Sequence, residues 1–169
     1  MARVYLIGLP GSGKSTASKQ VAKNLHYKLV DLDTYIEKKE KMTISKIFQK
    51  YGEEYFRQKE SEALAFFKDT PNLVISCGGG IILKKANKEL MEGLVIFLNP
   101  PLEDIKLRLK RNDTTRPLLK TNSIETLYSQ RIEKYNEFKD VEINETILSN
   151  VVSLILKEVA FYEKKDINN

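Results

Sequence analysis

Gly8-Leu9-Pro10-Gly11-Ser12-Gly13-Lys14-Ser15 has the spacing G-x-x-x-x-G-K-[ST], and each fixed residue has a separate electrostatic task. The glycines let the chain turn tightly and bring bare backbone N–H groups against phosphate oxygens. Lys14 reaches the outer phosphates, Ser15 offers a hydroxyl to Mg²⁺, and a helix starting here adds the positive end of its dipole. With glycine near 7% of residues, four fixed positions arise by chance in roughly one chain of this length in a hundred. An apolar strand before the match, Val4 to Ile7, and a helical pattern after it make chance a poorer account still. Nucleotide binding is the expected consequence.

Four other places carry candidate chemistry. Asp31 and Asp33 follow the short strand Tyr27 to Val30, at the strand end where open α/β sheets bind ligands, although either acid could simply cap the next helix. Arg57 follows Phe56 in a helical stretch, where a lone arginine is ordinarily solvated. Gly78-Gly79-Gly80 follows the apolar run Leu73 to Cys77. Three glycines in a row cost backbone entropy, so close approach of a ligand to bare backbone explains them better than a turn does. Arg116 sits in the polar, breaker-rich stretch 112–119, which reads as a lid or binding loop.

Alternating strands and helices must position these groups. The apolar spacings predict helices over 15–25, 33–40, 44–51, 53–67, 102–111, 123–138 and 147–162, and strands over 4–7, 27–30, 73–77, 94–98 and 141–143, the last at an edge. Residues 163–169 read as a frayed tail. A strand running through a phosphate loop into a helix, followed by further strand and helix alternation, gives an α/β three-layer domain with a five-stranded, mostly parallel sheet. Strand order stays open at this point.

At 169 residues the chain is read as one domain, 1–169. It carries 28 Lys and Arg against 23 Asp and Glu, but the charges alternate along helical faces without interleaved aromatics, so neither nucleic acid nor membrane is an expected partner. One cysteine, Cys77, allows no internal disulfide and reads as a small buried hydrophobe, and there is no signal peptide or membrane-length apolar run. A cytoplasmic setting is expected.

Taken in order and register, the phosphate loop, Asp31-Leu32-Asp33, Phe56-Arg57, Gly78-Gly79-Gly80 and Arg116-Pro117-Leu118-Leu119 resemble the shikimate kinase family from about residue 4 to residue 135. The resemblance implies a P-loop kinase fold with a substrate-binding region at about 33–61 and a mobile lid at about 110–123. It implies ATP-dependent phosphorylation of the 3-hydroxyl of shikimate, a step of chorismate and aromatic amino acid biosynthesis, by a monomer using ATP and Mg²⁺. On it, Gly11, Ser12, Gly13, Lys14, Ser15 and Thr16 hold ATP, Ser15 holds the metal, and Asp31 reaches it through water. Asp33 accepts the hydroxyl proton, and Lys14 and Arg116 stabilise the transferring phosphoryl group, with Arg116 closing over ATP. Arg57 and Arg131 clasp the substrate carboxylate, and the Gly79 backbone meets a hydroxyl. Asn112 stands where many relatives carry an arginine, which leaves the adenine contact to Arg108, Arg111 or the loop near Asn144.

Three rivals frame this reading. A GTP-hydrolysing switch needs Asp-x-x-Gly, which occurs nowhere in the chain, and Asn87-Lys88-Glu89-Leu90 ends in leucine where guanine recognition needs an acid. A nucleoside monophosphate kinase would suit the phosphate loop but not the acceptor segment after Asp33. A non-catalytic nucleotide-binding module would keep the fold, but intact Lys14, Asp33 and Arg116 argue against it.

Overall fold

Strand alternation splits the core into two layers. In the computed structural model, which describes residues 2–111 and 123–168, β1 (Arg3–Ile7) sends Tyr5 and Ile7 to one face and Val4 and Leu6 to the other. β3 (Leu73–Ser76) and β4 (Leu94–Leu98) do the same, with Ile75 and Phe97 on the first face and Val74 and Ile96 on the second. Every residue of β3 and β4 is buried, as expected for strands covered on both faces.

The sheet order is β2-β3-β1-β4-β5, with β2 at Lys28–Asp31 and β5 at Val141–Ile143, and all four pairings are parallel. The sheet is therefore wholly parallel, and β5 lies at an edge as its short sequence predicts. Helices α1 (Lys14–Leu25) and α8 (Leu148–Ile167) cover the second face. The first face carries α2 (Leu32–Glu40), α3 (Ile44–Tyr51), α4 (Glu53–Phe67) and α7 (Ile124–Phe138). A 3₁₀ turn at Ile81–Leu83, the one-turn α5 (Asn87–Leu90) and α6 (Leu102–Arg111) complete the described elements.

Register aligns the functional loops. Leu6 and Asp31 both pair with Ser76, so the phosphate loop, the Asp31–Asp33 segment and the glycine run leave three adjacent strands at one level. The Cys77 N–H donates to the Leu6 carbonyl at 3.0 Å and carries that alignment one residue further.

One expected boundary is corrected. The carboxyl-terminal helix continues through 163–167 rather than fraying, because the Glu163 carboxylate accepts from the Tyr27 hydroxyl and, at 3.3 Å, from the Ala2 backbone N–H. That anchor ties the last turns of α8 to the start of β1, and period alone carries no sign of it. The expected lid at about 110–123 falls, apart from its ends, outside the described residues.

Candidate active site

Gly13 caps α1 with φ 94°, a left-handed conformation that an L side chain adopts only with strain, so the helix can begin directly under the phosphate loop. Lys14 is buried, and its ammonium donates to the carbonyls of Gly8 at 2.7 Å and Leu9 at 2.9 Å. The loop thus holds its own cation over its rim, next to the N–H groups at the start of α1. Ser12 is buried inside the turn, while Ser15 and Thr16 lie exposed on the first turn of α1.

Asp31 caps α2 and also reaches the first turn of α1. One carboxylate oxygen caps α2 by accepting from Thr34 N–H at 3.0 Å, and the other accepts from the Ser15 hydroxyl at 3.2 Å. A hydroxyl and a carboxylate oxygen side by side are hard donors of the kind Mg²⁺ takes while keeping most of its water. Two residues on, Asp33 lies half-buried in the first turn of α2 and faces the same cleft.

Arg57 is not the solvated helical charge that its sequence context suggests. It is 7% exposed, and its Nη1 donates to Glu60 Oε1 at 2.6 Å while Nη2 lies 3.2 Å from Glu53 Oε1. Its guanidinium carbon also stands 5.3 Å from the Phe56 ring centroid. Arg131, from α7, is 5% exposed. These two arginines and Asp33 come from three separate helices and converge on the glycine run.

That convergence accounts for the three glycines differently from the sequence reading. A Cβ on Gly78 would stand 2.8 Å from Asp33 Oδ1 and 3.1 Å from Glu60 Oε2. On Gly79 it would meet the Pro10 ring at 2.9 Å and Arg131 Nη1 at 3.4 Å. On Gly80 it would lie 2.3 Å from Arg57 Nη1, well inside any tolerable contact. The bare backbone makes room for the protein's own acid and arginines, packed against it from three sides.

Three functional residues escaped the sequence analysis. Glu60, 1% exposed, is the counter-charge of Arg57, and burial pushes its carboxyl up to about 7 despite the opposing pull of that guanidinium. Its i,i+3 spacing from Arg57 was the available signal. Tyr135, stacked on Phe97 with centroids 4.7 Å apart, donates its hydroxyl to the Gly79 carbonyl at 2.5 Å and so orients that peptide. Asn87, 2% exposed, donates to the Ile81 carbonyl at 2.8 Å and accepts from the Ser61 hydroxyl at 2.7 Å, locking the turn after Gly80 to α4. Nothing in the local sequence marks either of the last two.

Phosphate-loop residues Gly11, Gly13, Lys14, Ser15 and Thr16 line one cleft of about 590 Å³ together with Asp31, Asp33, Arg57, Gly79 and Arg131. Cys77 also faces it but is buried, and desolvation raises its thiol well above the ordinary range, which makes it inert as the sequence reading expects. Arg108 reaches back from α6 to the Gly11 carbonyl at 3.3 Å and the Thr146 carbonyl at 3.0 Å, joining the phosphate loop to the loop after β5. Asn144 in that loop donates to Asn99 O at 3.1 Å instead, and Arg111 is exposed at the end of α6. Arg116 lies outside the described residues. Among the described residues, no group of three or more His, Cys, Asp or Glu is suited to a metal, and no helix is long and apolar enough to cross a membrane.

The sequence profile of shikimate kinase matches residues 10–160. A shikimate kinase of Clostridium botulinum (strain 657 / Type Ba4) is 42% identical over 161 residues, which cover 92% of this chain and 95% of that one. Among solved structures, shikimate kinase from Acinetobacter baumannii in complex with shikimate superposes with a TM-score of 0.85 at 31% identity, over 94% of each chain. Shikimate kinase from Aquifex aeolicus gives 0.78 at 35% identity, over 91% of this chain and 94% of its own. A profile spanning most of the chain, relatives matched nearly end to end and a shared fold agree with the five motifs in register: the chain belongs to the shikimate kinase family.

Proposed function

We propose that this chain transfers the γ-phosphoryl group of ATP to the 3-hydroxyl of shikimate, releasing ADP and shikimate 3-phosphate. The observation that carries the reading is the single cleft in which a phosphate loop faces Asp33, Arg57 and Arg131 across a bare glycine backbone. Phosphoryl transfer passes through a loose transition state whose charge spreads over the equatorial oxygens, so positioned cations do most of the catalytic work. Lys14 supplies one, exchanging its loop carbonyls for phosphate oxygens. Arg116 supplies a second on the evidence of its motif. Ser15 and, through water, Asp31 would hold Mg²⁺, which would supply positive charge against the phosphates.

On the acceptor side the substrate carboxylate docks on Arg57 and Arg131, whose planar forks match it. The Gly79 N–H meets a ring hydroxyl, and Tyr135 fixes the peptide that follows it by holding the Gly79 carbonyl. Asp33 orients the reacting hydroxyl and takes its proton as that oxygen bonds to the γ-phosphorus and the bond to the ADP oxygen breaks. Arg108, placed between the phosphate loop and the 144–146 loop, is the side chain we assign to the adenine edge. The enzyme acts as a monomer in the cytoplasm, without nucleic acid or membrane.

ADP release from ATP and Mg²⁺ with and without shikimate, beside gluconate and a panel of nucleoside monophosphates, tests this directly. Turnover dependent on shikimate and lost in Asp33→Asn is the expected result. Stimulation by gluconate or a monophosphate instead would move the protein to a rival kinase class.

A further inference from the structure

Glu60 is more deeply buried than any other acid in the cleft, and only half of its carboxylate is occupied. Oε1 holds Arg57 Nη1 at 2.6 Å, whereas Oε2 is buried with no hydrogen-bond partner among the described residues. Oε2 and Asp33 Oδ1 both border the space that a side chain on Gly78 would fill, at 3.1 and 2.8 Å from where its Cβ would stand. The groups facing Glu60 are Arg57 from α4, whose Nη2 is held by Glu53, Asp33 from α2, Arg131 and Tyr135 from α7, and Cys77 after β3. Burial raises the Tyr135 hydroxyl and the Cys77 thiol far above neutrality, so both stay protonated. The local balance is then two guanidinium cations against three carboxylates, one of them at the edge of solvent.

Into this balance the substrate brings a fourth carboxylate, which claims the same two arginines. This step rests on the substrate reading above. A buried carboxylate stays ionised only through its cations, and sharing those cations with a second anion weakens their hold on it. A proton on Oε2 removes the excess charge and turns an unpartnered acceptor into a donor facing Asp33. We propose that docking of the substrate carboxylate on Arg57 and Arg131 is coupled to uptake of one proton by Glu60, so that the acceptor site binds its anion together with a proton. Protonated Glu60 still offers Oε1 to Arg57, which keeps the guanidinium in place.

The test is calorimetric titration of shikimate into the whole protein at pH 7.5, in buffers of different ionisation enthalpy, for the wild type and Glu60→Gln. Glutamine keeps an acceptor for Arg57 but cannot titrate, and ADP affinity reports that each protein is folded. The wild type should take up more than about half a proton per shikimate, and the affinity should fall up to about tenfold for each pH unit above neutrality. The variant should take up none and bind with a flat pH profile. Shikimate binding without proton uptake in the wild type, or uptake that persists in Glu60→Gln, overturns the proposal while leaving the substrate assignment standing. Intact ADP binding with no shikimate binding overturns both.

Discussion

The two halves of the cleft are built from different materials. The phosphate half is one continuous stretch of chain, in which the phosphate loop and a helix terminus line the cleft and Lys14 is the main side chain. The acceptor half is assembled from side chains on α2, α4 and α7 that meet only around Gly78 to Gly80. A local motif tolerates change elsewhere, because its geometry is set by its own turn. An assembled site depends on the packing of every element that delivers a residue, so damage there should appear in shikimate parameters and spare the nucleotide.

The sharpest break in that contrast is Lys14→Met, which should lower kcat by about a thousandfold or more, since one preorganised charge at the transferring group is worth that much. Steady-state kinetics check it, with shikimate affinity measured separately by calorimetry and expected to change little. Next is Gly80→Ala, whose methyl group would overlap the Arg57 guanidinium. Displacing that group should cut kcat/KM for shikimate by about a hundredfold, roughly 2.7 kcal/mol, with ADP affinity retained. A loss of ADP binding would show instead that the two halves are one cooperative unit.

Arg57→Lys keeps the charge but loses the fork that serves Glu60 and Glu53 and, on the proposed function, the substrate carboxylate, and should raise KM for shikimate by about tenfold to a hundredfold. Equilibrium unfolding isolates the effect of Glu60. Its carboxyl, raised from 4.5 to about 7 in the fold, binds protons that the unfolded chain has released between those values. Its contribution to stability is therefore full below pH 4.5 and declines as pH rises to about 7, by on the order of 1–3 kcal/mol. Urea titrations at pH 5 and pH 8 should show that decline in the wild type and a smaller one in Glu60→Gln. The smallest expected effect is Asn87→Ala, which strips the clamp between α4 and the turn after Gly80. A stability loss of about 1–2 kcal/mol should accompany a rise of about threefold in KM for shikimate, with KM for ATP unchanged.

How far the site could be read along the chain follows the same division. The phosphate loop was legible in full, since its chemistry lies within eight consecutive residues. Helices 44–51, 53–67 and 102–111 and strands 94–98 and 141–143 match their expected bounds, because each has clear punctuation, such as Thr43 capping α3 at Lys46 N–H and Gly52 ending it. Arg57 was visible as a residue, but its burial was not, because nothing in its own helix shows that the glycine run packs against it. The glycine run reads in sequence as space for a ligand, and the fold sets side chains from three other elements against the same backbone, which no local pattern shows. Glu163, Asn87 and Tyr135 act on partners 161, 26 and 56 residues away respectively, beyond the reach of any local pattern.

Sequence by itself determined the phosphate chemistry, the alternation of strands and helices, and the family, because these depend on residues adjacent in the chain or on motifs in fixed order. Tertiary structure decided the strand order, the fate of the carboxyl-terminal tail and the electrostatics around Glu60. Each of those depends on which distant groups share a low-dielectric space, and that is settled only when the sheet brings its strand ends to one level.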